Sequence, residues 1–228
     1  MRHGLAGEAV GVSQCRTRAR RLCAGAEVAS SMHPEDVRAI LDRTGVVRRG
    51  HFLLTSGLHT ELFLLCAQVM QYPHELTAIA AAMAVPFRGA QVEVVVGPAV
   101  GGIILAYEVA RQLDVRGIFA EKSADGRMVL RRGFTVRPGE RALVVEDALT
   151  TGGSTRNVID ALRAAGADVV GITALVDRSG GAIDFGVPLH ALLTMRIETW
   201  PPAECPLCRA GVPLVSPKDT AWVSERPS

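Results

Sequence analysis

Short runs of Val, Ile and Leu alternate with helical patterns along most of this 228-residue chain. The runs at residues 92–97, 141–147 and 169–177 do not show the polar alternation expected of a strand with one wet face. Segments with helical spacing, such as residues 101–113 and 154–167, lie between them. Parallel strands joined by helices are buried on both faces, so they read as continuous apolar runs. The sequence therefore predicts an α/β fold with a doubly wound parallel sheet.

The remaining segments extend this pattern at both ends. We predict a helix at residues 34–45, two short strands around a Ser-Gly turn at 50–65, and an Ala-rich helix broken near Pro86 at 73–87. A further strand is predicted at 115–122, and a last strand near the edge of the sheet at 189–200.

Composition narrows the class of protein. Hydrophobic residues make up 48% and charged residues 21% of the chain, and the formal net charge is only +2, which is not typical of a nucleic-acid-binding protein. No apolar run approaches the ~20 residues that a membrane helix needs, so we expect no membrane partner. The five cysteines show no disulfide-framework spacing and no signal peptide is recognised, so we expect reduced thiols and a cytoplasmic location.

Residues 1–31 differ from the rest of the chain. They hold five arginines and two acids and show no hydrophobic periodicity. They fit a disordered tail, a transit-like segment, or sequence upstream of a true start at Met32. We expect a disordered or non-native extension here, and a folded domain over residues 32–228.

The stretch RALVVEDALTTGGST, residues 141–155, carries the chemistry. Glu146 and Asp147 end an apolar run, at the sheet edge where ligands bind in such folds. The glycines and hydroxyls that follow run into a helix, whose first N–H groups suit a phosphate. Two carboxylates beside a phosphate require ribose hydroxyls or a diphosphate-bound Mg²⁺ between them. The stretch therefore predicts a site for a phosphorylated sugar with a diphosphate, and it lacks both the P-loop and the dinucleotide-binding spacing.

The part LVVEDALTTGGS resembles the 5-phosphoribosyl-1-diphosphate (PRPP) signature of type I phosphoribosyltransferases. From about Val37 to about Gly181, the order of segments resembles that of orotate phosphoribosyltransferases. The resemblance implies that family's fold, with a small N-terminal hood at about 32–72, a core at about 73–200 and a tail at about 201–228. It also implies transfer of the phosphoribosyl group from PRPP to orotate in UMP biosynthesis. The matching segments are the hood at residues 50–64 and the diphosphate loop at 94–106. The strand before the mobile loop, at 119–122, and the base-contacting segment, at 174–181, also match.

The resemblance also implies roles for single residues. Glu146 and Asp147 would hold the ribose hydroxyls, and Lys122 would act catalytically with them by reaching the active site of the neighbouring subunit of a homodimer. Arg178 would pair with the orotate carboxylate, for which its planar fork is suited, and Phe63 would lie beside the base. Mg²⁺ would bind with the PRPP diphosphate, with no metal held by protein side chains alone. The PRPP-binding set is Lys122, Glu146, Asp147, Ala148, Leu149, Thr150, Thr151, Gly152, Gly153 and Ser154, and Thr150 would also contact the base.

Some positions depart from the family pattern. Thr55 stands where the family often has lysine, and residues 100–102 of the diphosphate loop contain no basic residue. The segment after Lys122 predicts a short hairpin with Asp125-Gly126 at its tip. Because these basic residues are missing, one alternative function is that of a regulator that senses PRPP without catalysis. Another alternative is a phosphoribosyltransferase that acts on a different base. The acid pair, Lys122 and Arg178 favour the enzyme and a base with a carboxylate.

Cys205 and Cys208, in CPLC, have the spacing of half a zinc site. No histidine or second cysteine pair follows them, and Cys15, Cys23 and Cys66 are not placed in the sequence to complete a site. We therefore favour reduced structural cysteines, or a turn at a dimer contact, over zinc. His51 and His59 are expected to be surface or hydrogen-bonded side chains without an identifiable partner.

Overall fold

Helices and strands alternate along residues 32–217, the part of the chain that the computed structural model describes. The helices are α1 (Pro34–Arg43), α2 (Ala67–Met70), α3 (Pro73–Ala84), α4 (Gly102–Leu113), α5 (Gly153–Ala164) and α6 (Pro206–Arg209). The strands are β1 (Val47–Leu53), β2 (His59–Leu64), β3 (Val94–Pro98), β4 (Arg116–Lys122), β5 (Met128–Leu130), β6 (Arg141–Leu149), β7 (Asp168–Asp177) and β8 (Leu189–Thr194). None of these helices is both long and apolar enough to cross a bilayer. The predicted extension at residues 1–31 and the end of the predicted tail, from residue 218 on, lie outside the described residues.

The central sheet has the strand order β5-β4-β3-β6-β7-β8. Its neighbouring strands are parallel except for β4 and β5, which form an antiparallel hairpin at one edge. The parallel sheet predicted from the apolar runs is confirmed, and β8 is an edge strand as predicted. A separate antiparallel pair, β1 and β2, forms a two-stranded sheet near the N-terminus of the described chain.

Both faces of the central sheet are buried, which explains the continuous apolar runs. Val95 and Leu143 point into one core, together with side chains of α1, α3 and α4. Val94 and Val144 point into a second core, together with side chains of α5. Since successive side chains of a strand alternate between faces, every residue of β3 is buried. The predicted double winding of the sheet is confirmed.

The predicted turns are also found. The loop between β1 and β2 contains Ser56 and Gly57, and Gly57 has a positive φ of 80°. After β4 the chain turns at Asp125-Gly126: the Ser123 N–H donates to the Arg127 carbonyl at 2.8 Å, and the Gly126 N–H donates to the Ser123 carbonyl at 3.0 Å. The short hairpin predicted at this point is confirmed.

The end of β6 lies further along the chain than the sequence indicated. The predicted strand ends at Asp147, but the observed strand continues to Leu149. The added residues stay extended because they pair with β7, with Glu146 opposite Ala174 and Leu149 opposite Asp177. The acid pair therefore lies within a hydrogen-bonded strand, which fixes its backbone.

Gly97 shows how tightly β3 approaches α4. A Cβ atom at this position would lie 2.5 Å from the Gly102 carbonyl oxygen and 2.9 Å from the Ala106 Cβ. We predict that Gly97→Ala lowers the free energy of unfolding by about 1–3 kcal/mol, the usual cost of overpacking, as measured by denaturant unfolding. The matched control is Gly89→Ala, because a Cβ at Gly89 would meet no atom within 4 Å. Equal stability of the two variants would contradict this packing argument.

Candidate active site

Three loops meet at the carboxyl edge of the central sheet, after β3, β6 and β7. Arg178, just after β7, donates its backbone N–H to the Leu149 carbonyl at the end of β6, at 2.8 Å. A Cβ on Gly101, in the loop after β3, would lie 2.9 Å from Oδ2 of Asp147 on β6. Since parallel strands point their carboxyl ends the same way, three segments distant in sequence form one site.

Glu146 connects β6 to the start of α5. Its Oε2 accepts hydrogen bonds from the Ser154 hydroxyl at 2.9 Å and from the Thr155 hydroxyl at 2.8 Å. The residue is only 4% exposed. Burial, followed by the neighbouring charge of Asp147, raises the pKa of Glu146 to about 7, while the two hydroxyls oppose this change. Glu146 therefore holds the helix start in place and has little surface left for a ligand.

The turn between β6 and α5 forms a candidate anion cradle. Gly152 has a positive φ of 75°, and a Cβ there would lie 2.8 Å from Cζ of Phe185, so both conformation and space require glycine. Thr150 and Thr151 are exposed. The first turn of α5 contains no acidic residue to repel an anion. Its N–H groups and these two threonine hydroxyls suit a phosphate.

The other predicted members of the cradle lie on either side of this turn. Ala148 and Leu149 are the last residues of β6, and Leu149 is buried. Gly153 and Ser154 begin α5 and are exposed, although the Ser154 hydroxyl is bonded to Glu146. Asp147 is half-buried, and its Oδ1 accepts the Ala148 N–H at 2.7 Å.

Arg178 has the chemical character of an anion-binding group. Its Nε is buried and has no hydrogen-bond partner among the described residues. Burial lowers the pKa of Arg178, since its charge is poorly solvated. Asp177 holds the turn around it by accepting the Ser179 N–H at 2.8 Å and the Gly181 N–H at 2.9 Å. A buried donor without a partner is costly unless a ligand pairs with it.

Lys122 and Phe63 lie on elements at some distance from this centre. Lys122 is exposed and ends β4, which is separated from β6 by β3, so about 10 Å of sheet lies between their backbones. Phe63 is half-buried on β2, and its ring centroid lies 5.8 Å from that of Phe52. The structure thus brings the acids, the cradle and Arg178 together, and positions Lys122 along the same edge.

Sequence reasoning misjudged one neighbour of the site and missed another. Thr155 was counted among the hydroxyls that follow the acids and suit a phosphate, but it is fully buried and its hydroxyl donates to Glu146. Cys66 is buried, which raises the pKa of its thiol, and the charge of Asp147 raises it further while that of Arg178 lowers it. Cys66 is therefore within electrostatic reach of the site, and no sequence signal indicated this.

The two hood histidines are hydrogen-bonded, which was one of the two expected alternatives, and the structure identifies partners that the sequence did not. His51 and His59 are both buried, and His51 Nε2 lies 2.9 Å from His59 Nδ1, within hydrogen-bonding distance. The alternation of side chains along the two paired strands could have indicated this contact. Leu53 is opposite His59 in the pair, and His51 precedes Leu53 by two residues, so His51 and His59 lie on the same face.

The environment of Glu146 predicts an unusual pH dependence of stability. The pKa of Glu146 in the folded protein lies above the usual 4.5. Between about pH 4.5 and 7, Glu146 is therefore protonated in the folded protein but ionised in the unfolded chain. Stability contributed by this residue therefore falls as pH rises through that window. We predict that the free energy of unfolding of Glu146→Gln, relative to wild type, increases by about 1–3 kcal/mol between pH 5 and pH 8.

Denaturant unfolding of both proteins across this pH range provides the measurement. The control is Asp160→Asn, which replaces an exposed acid of the same helix α5. A difference between Glu146→Gln and wild type that stays constant from pH 5 to pH 8 would contradict the assignment.

Comparisons with known proteins agree with this geometry. The family model described as "Phosphoribosyl transferase domain" matches residues 67–184, which include the acid pair, the cradle and Arg178. The orotate phosphoribosyltransferase of Caldanaerobacter subterraneus subsp. tengcongensis is 50% identical over 186 residues, covering 82% of this chain and 97% of that protein.

Solved structures share the fold. The orotate phosphoribosyltransferase of Aeropyrum pernix matches with a TM-score of 0.58 and 26% identity, over 69% of this chain and 93% of that one. The adenine phosphoribosyltransferase of Rhodothermus marinus matches with a TM-score of 0.55 and 22% identity, over 69% of this chain and 99% of that one. The fold is thus common to proteins named for different bases, whereas the 50% identity is to one named for orotate. With its acid pair, glycine turn and half-buried arginine at one sheet edge, this chain belongs to the orotate phosphoribosyltransferase family of type I phosphoribosyltransferases.

Proposed function

We propose that this protein is an orotate phosphoribosyltransferase, which transfers the 5-phosphoribosyl group of PRPP to N1 of orotate. The products are orotidine 5′-phosphate and diphosphate, on the route to UMP. The observation that carries the proposal is Arg178, a half-buried arginine whose buried Nε has no partner among the described residues, at the edge that holds the acid pair and the cradle. The 50% identity to a protein of that name over most of the chain supports it. The cytoplasmic location predicted from the cysteines is part of the same proposal.

The 5′-phosphate of PRPP binds in the turn at Thr150–Gly153. The support is the αL glycine, the exposed threonines and the helix start without acids. Asp147 then contacts the ribose hydroxyls, because it is half-exposed while Glu146 is occupied by Ser154 and Thr155. In this division of roles Glu146 is a positioning residue for the cradle.

The diphosphate binds at the loop after β3, beside Asp147. A Cβ on Gly101 would approach Asp147 Oδ2 closely, so glycine lets the backbone of this loop lie directly against the carboxylate. Carboxylate oxygens such as those of Asp147 fit a Mg²⁺ ion that arrives with the diphosphate. When bound, Mg²⁺ neutralises charge on the departing diphosphate.

Orotate binds at Arg178, with Thr150 and Phe63 as further contacts implied by the family resemblance. The planar guanidinium matches the planar carboxylate of orotate, and pairing would satisfy the buried Nε. As the bond between C1′ and the diphosphate breaks, positive charge builds on the ribose, and the nearby Asp147 carboxylate stabilises it. The base N1 then bonds to C1′, and no side chain acts as a nucleophile.

Lys122 completes the site from a second copy of the chain. It lies about 10 Å of sheet away from β6 in its own chain, so a partner's Lys122 is a better candidate for the leaving diphosphate. An apolar surface supports a homodimer: Val100, Ile104 and Tyr107 lie three or four residues apart and are 83%, 52% and 67% exposed. Such a surface is costly in water and indicates a contact between subunits.

Removing the base-binding arginine tests the proposed reaction. We predict that wild type consumes orotate in the presence of PRPP and Mg²⁺, followed by its ultraviolet absorbance. Arg178→Ala should lower kcat/KM at least ~100-fold, because a buried charge-assisted pair with the carboxylate is lost. The control is Arg88→Ala, an exposed arginine before β3 at the opposite edge of the sheet, which should change kcat/KM less than ~2-fold.

Two outcomes would overturn this assignment. Turnover by Arg178→Ala at the wild-type rate would remove the arginine from the base site. Wild type that binds PRPP but does not consume orotate would favour another base or a PRPP-sensing role.

Mixing two inactive variants tests the dimer. If Lys122 acts across subunits, a mixed dimer of Lys122→Ala and Arg178→Ala contains one complete site. We predict that refolding the two variants together in equal amounts restores about a quarter of the wild-type activity, since half of the dimers are mixed and each has one of two sites intact. No restoration would mean that Lys122 acts within its own chain or that the two variants do not associate, and either result contradicts the proposal.

A further inference from the structure

Four potential metal ligands lie together outside the active site. They are His51, His59, Cys205 and Cys208, and their ligand atoms all lie within 4.8 Å of one another. Nothing in the proposed transfer reaction uses them. The sequence marked the cysteine pair as half a zinc site, and the structure supplies the other half from residues about 150 positions earlier.

Three N–S distances within this Cys₂His₂ cluster are close to those of a tetrahedral site. His51 Nε2 lies 3.4 Å from Cys205 Sγ and 3.7 Å from Cys208 Sγ, and His59 Nδ1 lies 3.3 Å from Cys208 Sγ. Zinc with ordinary Zn–N and Zn–S bonds places neighbouring N and S ligands ~3.6 Å apart. The two ring nitrogens are 2.9 Å apart, so they need to separate by only about 0.4 Å to match tetrahedral geometry.

The orientation of His51 also suits a metal ligand. Its Nδ1 lies 2.8 Å from the Val212 carbonyl oxygen, which can only accept, so Nδ1 carries the proton. The Nε2 lone pair is then directed into the Cys₂His₂ cluster. A carbonyl that fixes the tautomer of a ligating histidine in this way is a common feature of metal sites.

The backbone around the Cys₂His₂ cluster is held by a separate set of hydrogen bonds. Val215 N–H donates to the His51 carbonyl at 2.8 Å, and Leu53 N–H donates to the Val215 carbonyl at 3.0 Å. His59 and Trp200 exchange two backbone hydrogen bonds, at 2.8 and 2.9 Å. The segment 200–215, which includes α6, is thus attached to the β1–β2 hairpin on both sides of the cysteine pair.

Burial and ligand type identify the metal and its role. Cys205, His51 and His59 are almost fully buried, whereas Cys208 is exposed. Two thiols and two imidazoles are the ligand set of structural zinc sites, and the soft sulfur ligands disfavour Mg²⁺ and Ca²⁺. Four protein ligands leave no open position for a substrate or a catalytic water.

We propose that His51, His59, Cys205 and Cys208 bind one Zn²⁺ ion, which fixes the C-terminal segment to the β1–β2 hairpin. Zn²⁺ replaces the two thiol protons, which pass to solvent, and His59 binds through Nδ1 as a neutral imidazole with its proton moved to Nε2. The metal closes a loop of about 150 residues and restricts the unfolded chain accordingly. It is distinct from the Mg²⁺ that arrives with PRPP.

Metal content of the tag-free full chain, purified without chelator, tests the proposal. We expect about one zinc per chain by elemental analysis, and tetrahedral cobalt(II) bands with thiolate charge transfer after exchange into Co²⁺. Cys208→Ser should lose at least ~10-fold in zinc affinity, and because this residue is exposed the variant should still fold. Cys66→Ala is the matched control, since it removes a buried cysteine outside the Cys₂His₂ cluster and should keep full zinc content.

A second readout locates the effect of the metal. Hydrogen exchange of the Leu53, His59, Trp200 and Val215 amides should accelerate in Cys208→Ser, while amides of β6 in the core should not change. Three results would overturn the proposal: wild type that binds no zinc when the metal is supplied, a Cys205–Cys208 disulfide in the reduced-purified protein, or zinc retained by the double variant His51→Asn/Cys208→Ser.

Discussion

The parallel pairing of β3, β6 and β7 is the constraint on which the site depends. It sends three chain segments to one edge of the sheet, where Gly101 faces Asp147 and Arg178 is bonded to the end of β6. Helices on both faces bury these strands, so their ends are held rigidly by the two cores. The loops can then present glycines, hydroxyls and charges without having to supply stability themselves.

Within that frame, a buried carboxylate and the proposed phosphate site lie only a few residues apart. Glu146 is accommodated because the Ser154 and Thr155 hydroxyls bond to it and because its raised pKa reduces its charge near neutrality. Glu146 therefore contributes little to the electrostatic repulsion of a bound phosphate. The repulsion that remains comes from the charge of Asp147. In the proposed site Glu146 thus serves the architecture of the cradle, and Asp147, the more exposed of the two acids, is the carboxylate presented to the ligand.

Features encoded within one segment were predictable, and those that depend on contacts between distant segments were not. The sheet, the hairpin at Asp125-Gly126 and the glycine turn before α5 follow from apolar runs, glycines and hydroxyls that are adjacent in the chain. The end of β6 was placed too early because pairing with β7 extends it beyond its apolar run. The unpaired Nε of Arg178, and the meeting of His51 with Cys205 across 154 positions, depend on tertiary packing that no local pattern reports.

The central claim is that one sheet edge binds the phosphate at the α5 turn and the base carboxylate at Arg178. A crystal structure with orotidine 5′-phosphate bound tests it most directly. The account predicts the 5′-phosphate within hydrogen-bond distance of the Thr150–Gly153 amides, Asp147 at the ribose hydroxyls, and the orotate carboxylate paired with the Arg178 guanidinium. A phosphate bound elsewhere, or a base carboxylate without contact to Arg178, would contradict it.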